Sequence, residues 1–402
     1  MTMHHGHGQS QPQSPGANPL IRAEANMAGH AMGGDVTRAQ IAAITTLTAL
    51  ALIAGLLWSV AHANLTIGAH DVAGAVMAPG MIMTRDTPAE AMRDMAAVDP
   101  NQVRFSAAAD ARGDQTLEPR IEDGVKVFDL ETSVIEWNIL SDVRVMAYAF
   151  NGQLPGPRIR VTEGDRLRIN VTNHLPESTT VHWHGLIVPN AMDGAAEITQ
   201  APIPPGATFT YEFTAEQRGT YFYHSHDHID RQQALGLYGA LIIDPRDPAG
   251  YPYEYDHELV IQLQELLYRG GYTFPAMPME GGLPNYFTIN GRAYPDTETL
   301  RVRVGDEVLV RFIGSNSGFI HPMHIHGGPF RIVETDGNPV PPEGQWVKDT
   351  VNIAPGERYD VVWTAHEPGK WLLHCHISHH TTNDNVEVAG GGGLMLIIEV
   401  AP

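Results

Sequence analysis

The chain has 402 residues, a formal net charge of −21 and 43% hydrophobic residues, with 40 glycines and 29 prolines. Its length allows two or three domains of ordinary size, and its composition is typical of a turn-rich, well-packed protein. The negative charge argues against nucleic acid as a partner, because the phosphates would be repelled. The single cysteine excludes an intramolecular disulfide, so cysteine usage does not indicate a compartment.

The N-terminal region predicts an attachment to a membrane. Residues 1–40 carry His and Met among Gly, Ser and Pro, which predicts a disordered tail. Residues 41–61 are apolar and uncharged, and as a helix they would extend about 31 Å, enough to cross a bilayer. Arg22 and Arg38 precede this segment and no Lys or Arg follows before Arg85. This bias predicts a cytoplasmic N-terminus and an exported remainder.

A cleaved signal peptide is the alternative for the same segment. The sequence "AHA" at 61–63 fits the small-x-small pattern of a cleavage site. In both cases the following residues are predicted to be periplasmic or otherwise extracytoplasmic, either anchored or released. Residues 62–120 are predicted to be a linker with one short helix near 87–96.

Beyond residue 120 the sequence predicts an all-β structure. Short runs rich in Val, Ile, Tyr, Phe and Thr alternate with Gly/Pro turns, as in β-sandwiches. The two halves also align with each other at offsets of 139 to 150 residues: "FNGQLPG" with "INGRAYP", "VHWHG" with "MHIHG", and "GTYFYHSH" with "GKWLLHCH". We therefore predict one sandwich fold used twice, over residues 121–246 and 255–402.

Four His-x-His pairs lie at corresponding places in the two halves. On a β-strand, residues i and i+2 point to the same face, so each pair can present two imidazoles toward one pocket. Neutral imidazole is a ligand for copper, zinc, iron and nickel. The pattern predicts metal binding by His182 and His184, His224 and His226, His324 and His326, and His374 and His376.

These pairs belong to sequences that resemble the four signatures of the multicopper oxidases. They read "HWHG" (182–185), "HSH" (224–226), "HPMHIHG" (321–327) and "HCHISHH" (374–380), and the resemblance covers the chain from about residue 121 to its end. It implies two cupredoxin-like Greek-key domains and four coppers per protomer: one type 1, one type 2 and two type 3. It also implies that four one-electron oxidations at the type 1 copper supply the reduction of O2 to water at the trinuclear cluster.

The resemblance assigns a ligand role to each motif position. It implies that His321, Cys375 and His380 hold the type 1 copper, a His2Cys set suited to one-electron transfer. It also implies a weak axial ligand, for which Met395 is the expected residue and Leu394 the alternative. An insertion separates both of them from His380. The cluster ligands implied are His182 and His324 for type 2, His184, His224 and His376 for one type 3 copper, and His226, His326 and His374 for the other.

Two further positions carry catalytic expectations. Cys375 lies between two cluster ligands, so the shortest covalent route between the two copper sites runs through adjacent residues. Asp193 matches the acidic residue that follows "HWHG" in the family and is expected to relay protons, a role compatible with an ordinary Asp-Gly turn. Thr381 stands where many members carry a second acid. In the first half, Thr179, Ser225 and Asp230 replace the three type 1 ligands, so no blue copper is expected there.

The short connection between the halves bears on assembly. It spans about residues 246–255 and leaves no room for a middle domain. The chain therefore resembles the two-domain, small-laccase branch, in which the cluster forms between neighbouring subunits. This implies a homotrimer with one cluster per interface. A monomer that joins its own halves is the alternative.

The resemblance implies an oxidase of laccase type. The expected substrates are phenols, aromatic amines or low-valent metal ions, oxidised at the edge of His321 and His380. A dedicated Mn(II), Fe(II) or Cu(I) oxidase is an alternative with the same sites. A copper nitrite reductase would carry its blue-copper cysteine in the first domain, which is the reverse of the Ser225/Cys375 arrangement. A non-enzymatic copper store is the remaining alternative.

Overall fold

A computed structural model describes residues 37–63, 98–229, 231–247, 251, 253–275, 283–387 and 390–402. Residues 1–36 of the predicted disordered tail, the predicted short helix near 87–96 and Asp230 lie outside the described residues. Residues 38–40, which were predicted to end the tail, instead begin a helix. The chain divides into two compact units, Met1–Thr66 and Ile67–Pro402.

The first unit contains helix α1 (Arg38–Ala63). Thr37 caps it, because the Gln40 amide donates to Thr37 Oγ1 at 3.3 Å and the Thr37 amide donates to Gln40 Oε1 at 2.9 Å. Within the described ranges, α1 is the one helix that is long and apolar enough to cross a membrane, and a signal sequence would meet the same criteria. The two interpretations of this segment therefore both stay open.

Ten strands between residues 105 and 244 form two sheets. One sheet has six strands with the order β1-β3-β6-β8, to which β2 and β4 add through β3, and the other has the order β5-β10-β9-β7. The strands are β1 (Phe105–Ser106), β2 (Arg120–Glu122), β3 (Val125–Asn138), β4 (Arg144–Phe150), β5 (Ile159–Thr162), β6 (Arg166–Asn173), β7 (His182–His184), β8 (Thr208–Thr214), β9 (Gly219–His224) and β10 (Tyr238–Asp244).

Strand β6 shows how residues of the first half enter its core. In β6, Leu167, Ile169 and Val171 are buried while their neighbours are not, which is the period-two pattern of a strand with one face in the core. Trp183, between the first two cluster histidines, packs against Tyr211 with ring centroids 5.3 Å apart. The buried Trp183 thereby anchors β7 and the two histidines that flank it.

Thirteen strands between residues 257 and 401 form the second pair of sheets. One has the order β12-β11-β15-β21-β17-β18, with β13 added through β11 and β19 through β17, and the other has the order β14-β23-β22-β16-β20. The strands are β11 (His257–Arg269), β12 (Tyr272–Pro275), β13 (Tyr286–Ile289), β14 (Leu300–Arg303), β15 (Glu307–Ile313), β16 (His321–Ile325), β17 (Phe330–Thr335), β18 (Asn338–Pro339), β19 (Val347–Lys348), β20 (Thr350–Ile353), β21 (Arg358–Thr364), β22 (Gly369–Cys375) and β23 (Met395–Ala401).

The two halves meet through a buried polar network. Arg311 on β15 donates to Glu258 Oε1 at 2.7 Å, to Thr220 Oγ1 at 2.8 Å and to the Asp360 carboxylate. Thr220, on β9 of the first half, also donates to Asp360 at 2.8 Å. Burial raises the pKa of Asp360, and the charge of Arg311 opposes that shift. The network therefore fixes the first half against the second through groups that are costly to leave unpaired.

The described residues confirm the predicted fold class: sheet-rich cupredoxin domains that follow one apolar helix. One detail differs from the expectation for residues 62–120. Within that segment, β1 pairs in parallel with β3, with Phe105 opposite Ile135. The last part of the predicted linker therefore belongs to the first sheet. The domain boundaries proposed from the sequence stay predictions.

Candidate metal centres

Strand alternation separates two kinds of metal ligand in the second half. In β16, His321, Met323 and Ile325 are buried in the core, whereas His324 lies on the opposite, more accessible face. In the neighbouring β22, Cys375 is buried and His374 is on the other face. The two strands pair with Met323 opposite Cys375 and His324 opposite His374. The sheet therefore carries one ligand set on each of its faces.

The core face holds three predicted type 1 ligands together. His321 and His380 are 0% and 2% exposed, and their Nδ1 atoms lie 3.0 Å apart. Cys375 Sγ lies 4.0 Å from His321 Nδ1 and 3.5 Å from His380 Nδ1. These three atoms are within 4.8 Å of one another. The pocket is buried and offers one thiol and two imidazoles. This is the donor set of copper sites that transfer single electrons.

Burial keeps two of the type 1 side chains, those of Cys375 and His380, uncharged. Burial raises the pKa of the Cys375 thiol to about 12. Burial, together with His321 and His379, lowers the pKa of His380 to about 3. At neutral pH the imidazole is thus uncharged and its lone pair is free to bind a metal. The thiol would become a thiolate only when a cation stabilises it.

A glutamate that the sequence analysis missed supports His321. Glu265 on β11 is 1% exposed, and its Oε2 lies 2.9 Å from His321 Nε2. Its other oxygen accepts hydrogen bonds from the Gly318 amide at 2.7 Å, the Phe319 amide at 3.2 Å and the Asn316 side chain at 3.2 Å. The available signal was that Glu265 is the single charged residue in the run "LVIQLQELL", because a buried acid requires partners.

Two phenylalanines enclose the other imidazole. The ring of Phe287 stacks on His380 at 4.3 Å with an interplanar angle of 26°, and Phe319 approaches edge-on at 5.4 Å. Since both type 1 imidazoles are buried, the predicted substrate contact at the His321/His380 edge is not directly open in one chain. The neighbouring His379 is exposed and lies 5.4 Å from Phe287.

The register of β22 with β23 determines which residue can take the axial position of the type 1 site. His374 is opposite Met395, and the Cys375 amide donates to the Leu394 carbonyl at 3.0 Å. Directly opposed residues share a face and neighbours alternate, so Met395 lies on the face of His374 and Leu394 on the face of Cys375. Leu394 is fully buried in the same apolar cluster as Cys375. The sulfur of Met395 instead packs against the Cα of Gly391, where a side chain would not fit.

The first half brings its four predicted cluster histidines together. Ligand atoms of His182, His184 and His224 lie within 4.8 Å of one another, and the ring of His226 is 5.4 Å from that of His182. His182 Nδ1 donates to the Asp193 carbonyl at 2.7 Å, and His224 Nδ1 donates to the Ser225 carbonyl at 2.8 Å. Both histidines therefore keep Nε2 for a metal, and backbone carbonyls fix their orientation.

The second half contains the matching set. His326 Nε2 and His374 Nε2 lie 3.0 Å apart, and the ring of His324 is 5.8 Å from that of His376. His324 Nδ1 donates to the Asp349 carbonyl at 2.6 Å, and His374 Nδ1 donates to the Cys375 carbonyl at 2.8 Å. In both halves, backbone carbonyls thus accept hydrogen bonds from the Nδ1 atoms of cluster histidines.

The two histidine sets do not meet in the described part of one chain. Every ring contact made by a cluster histidine to another histidine is within its own set of four. His184 instead lies beside the turn before β21, where a Cβ added at Gly356 would be 3.2 Å from its ring. Burial and the charge of Arg358 lower the pKa of His184 to about 3.

The first half has polar residues where the second has its type 1 ligands. Thr179 and Ser225 are both fully buried, and Thr179 Oγ1 donates to Gln232 Oε1 at 2.8 Å. Gln232 in turn donates to Glu177 Oε1 at 2.9 Å. Hydrogen bonds from Thr179 to Gln232 and from Gln232 to Glu177 therefore occupy this part of the first half. Asp230, the third predicted replacement, lies outside the described residues.

The fold and these donor sets define a protein of two cupredoxin sandwiches with a buried His2Cys site and two sets of paired histidines. Residues 131–248 and 273–387 match two family models, both described as multicopper oxidase, which together cover more than half of the chain. The chain belongs to the multicopper oxidase family.

Three relatives illustrate the likeness. The chain is 35% identical over 247 residues to Laccase-1 of Cryptococcus neoformans, an alignment that covers 54% of this chain and 38% of that protein. The chain thus spans about two fifths of the length of this curated relative. The blue copper oxidase of Nitrosomonas europaea is 36% identical with a TM-score of 0.61, covering 68% of this chain and 85% of that one. The multicopper oxidase mgLAC is 34% identical with a TM-score of 0.64, covering 69% and 87%.

Proposed function

We propose that the protein is an oxidase of laccase type, which couples four one-electron substrate oxidations to the reduction of O2 to water. The observation that carries this proposal is the position of Cys375. Its side chain belongs to the buried His2Cys set, while His374, one residue away, belongs to the histidine set on the other face of β22. One short stretch of chain therefore joins an electron-accepting site to a site built from paired imidazoles.

The donor sets fit four coppers per protomer, one of type 1, one of type 2 and two of type 3. Copper would supply one-electron redox chemistry at the buried site and dioxygen reduction at the paired histidines. The chain's own residues hold the ligands: Glu265 orients His321, and backbone carbonyls orient His182, His224, His324 and His374. A second contact supports the connection, because the His374 imidazole is hydrogen-bonded to the Cys375 carbonyl.

The cluster is proposed to form between subunits of a homotrimer. Each histidine set is incomplete in one chain, and each is bordered by exposed apolar side chains that a monomer rarely leaves uncovered in groups. In the segments that carry the first set these are Ile187, Ile198 and Ile229, and in the segments that carry the second they are Trp346, Val347 and Ile377. A head-to-tail contact that closes as a ring would cover both groups and bring four histidines from each partner together.

Asp193 is proposed to deliver protons to the cluster. Its backbone carbonyl accepts the hydrogen bond from His182 Nδ1, and its carboxylate oxygen lies 3.5 Å from the same nitrogen. The carboxylate is thus adjacent to a cluster ligand and one third exposed to solvent. A group with both properties can transfer protons between water and the site of oxygen reduction.

The substrate class is proposed to be phenols or aromatic amines. Both type 1 imidazoles are buried, and Phe287 and Phe319 pack against His380, so electrons would reach the site through surrounding side chains. Low-valent metal ions are the second candidate, because outer-sphere electron transfer through those side chains requires no substrate pocket.

The protein is further proposed to act outside the cytoplasm, held by α1 or released after its cleavage.

Steady-state O2 uptake by the copper-loaded protein tests this function. The substrates are a phenol, an aromatic amine, Mn(II), Fe(II) and Cu(I), each compared by kcat/KM. We expect the organic substrates to give the highest values. A higher value for one metal ion would assign a metal-ion oxidase instead. Absence of O2 uptake with all five, at full copper loading, would contradict an oxidase and favour a copper store.

A further inference from the structure

Glu265 is a buried acidic side chain in direct contact with the type 1 site. It is 1% exposed and lies in the middle of β11, with Leu263 and Leu266 buried on either side. Such a carboxylate is costly to bury unless donors surround it. Four do so: His321 Nε2, the Gly318 and Phe319 amides, and the Asn316 amide group.

These contacts determine which nitrogen of His321 faces the metal. Because the carboxylate accepts at Nε2, that nitrogen carries the proton and Nδ1 keeps its lone pair. Nδ1 is the atom that lies 3.0 Å from His380 Nδ1 and 4.0 Å from Cys375 Sγ. The same carboxylate fixes the Phe319 amide, and the ring of Phe319 contacts His380. Glu265 therefore holds one imidazole directly and helps to enclose the other.

Among the described residues, the Glu265 carboxylate forms no ion pair with a Lys or Arg side chain. In the described part of the chain, His321 is the only titratable base within ion-pair distance of it. A cation at the His2Cys set would be the nearest compensating charge. Interactions between charges are strong in such a dry environment, and they favour the more highly charged cation. The oxidised copper ion carries one more positive charge than the reduced ion.

We infer that Glu265 is a positioning residue that stabilises the oxidised state of the type 1 copper and thereby lowers its reduction potential. This inference rests on the proposed function and deepens it. A lowered potential favours easily oxidised substrates, which are electron-rich phenols, aromatic amines and low-valent metal ions, over organic compounds that are harder to oxidise.

The test compares Glu265→Gln with Glu334→Gln in the copper-loaded, full-length protein. Glu334 is the matched control, because it is also 1% exposed and hydrogen-bonded, but to Arg218 at 2.7 Å in the interface between the halves. The readouts are the midpoint potential of the blue band, from a spectroelectrochemical titration, and the Cu(II) affinity of the type 1 site. For Glu265→Gln we expect a more positive potential and about a 10- to 100-fold loss of Cu(II) affinity. Glu334→Gln should change neither quantity.

An unchanged potential in Glu265→Gln would overturn the inference and leave the oxidase proposal intact. A wild-type protein without a blue band would instead contradict the proposed function itself. If Glu265→Gln binds no type 1 copper, Glu265→Asp decides. Retention of the blue band in Glu265→Asp, which keeps the charge, supports the inference. Loss of the band in both variants, with the β-sheet circular dichroism and the other coppers retained, overturns it.

Discussion

Glu265 and Phe287 are directly opposed across β11 and β13, and each contacts a different imidazole of the type 1 site. Glu265 is hydrogen-bonded to His321, and Phe287 stacks on His380. One cross-strand pair therefore sets the orientation of both histidines. Neither residue lies in a copper motif, and both belong to the eight-stranded sheet, whereas His321 and Cys375 lie in the five-stranded one. The geometry of the site therefore depends on residues that are distant from the motifs in sequence.

The role of Cys375 can be tested against its counterpart in the first half. Cys375→Ser should abolish the blue absorption and substrate oxidation, because a hydroxyl does not replace a thiolate as a copper ligand. The other three coppers and the assembly should persist. Absorbance, metal analysis and O2 uptake measure these effects. Ser225→Ala, at the corresponding buried position, is the control and should keep the blue band. Substrate oxidation by Cys375→Ser would contradict the proposed electron route.

The axial position can be assigned by exchanging two neighbours. We expect Leu394→Met to lower the potential of the type 1 copper, because it adds a thioether on the face of Cys375. Met395→Leu, on the opposite face, should leave the potential unchanged and serves as the control. Both potentials are measured by redox titration of the blue band. If the potential shifts in Met395→Leu and not in Leu394→Met, Met395 is the axial ligand, as the sequence predicted.

Assembly through the exposed apolar residues makes a prediction about copper content. Ile198 lies in the loop whose Ala196 amide donates to the His226 carbonyl at 3.4 Å. Ile198→Asp should place a charge in the proposed interface and produce monomers. We expect copper to fall from four toward one per chain, with loss of O2 uptake. Size-exclusion chromatography with light scattering and metal analysis measure this.

Ile121→Asp is the control for that experiment, because Ile121 is also exposed, at 64% against 83% for Ile198, but lies on β2, which carries no histidine. It should keep the assembly and the copper. A monomeric Ile198→Asp protein that retained four coppers would show that one chain completes its own cluster.

Proton delivery by Asp193 predicts a selective kinetic defect. Asp193→Asn keeps the backbone carbonyl that orients His182 but removes the acid, so copper content should not change. Turnover should fall by about 10²- to 10⁴-fold, the usual contribution of a positioned acid. Stopped-flow measurements should still show normal reduction of the blue copper by substrate. Glu197→Gln, in a nearby exposed loop, should retain full activity; equal losses in both variants would argue against a specific role for Asp193.

The network between the halves predicts a large effect on stability. Arg311→Met should lower the free energy of unfolding by about 3–5 kcal/mol, because Asp360 and Glu258 lose their buried cationic partner. Adding Asp360→Leu should recover part of this loss by removing an uncompensated charge. Denaturant unfolding followed by near-UV circular dichroism compares the two. A double variant that is no more stable than Arg311→Met would show that the ion pair is not the source of the effect.

Local pattern in the sequence was sufficient to predict the fold class and the grouping of the histidines within each half. Period-two spacing places both members of a pair on one face, and this is a property of the strand itself. The support from Glu265 and Phe287 was not predictable in the same way, because it arises from pairing between β11 and β13 and from packing against a distant motif. The burial of both type 1 imidazoles was missed for the same reason. For the axial position, the family resemblance favoured Met395, whereas the register of β22 with β23 favours Leu394.

The alternation at residues 374–376 also limits how this protein can evolve. A single inserted or deleted residue there would turn the thiol toward the accessible face and an imidazole into the apolar core, so both ligand sets would be lost in one event. The described residues between His380 and β23 form no strand and so have no alternation to keep, and it is there that the resemblance to the family implies an insertion. Changes in length are therefore tolerated beside the site and excluded from the three residues that separate the two faces.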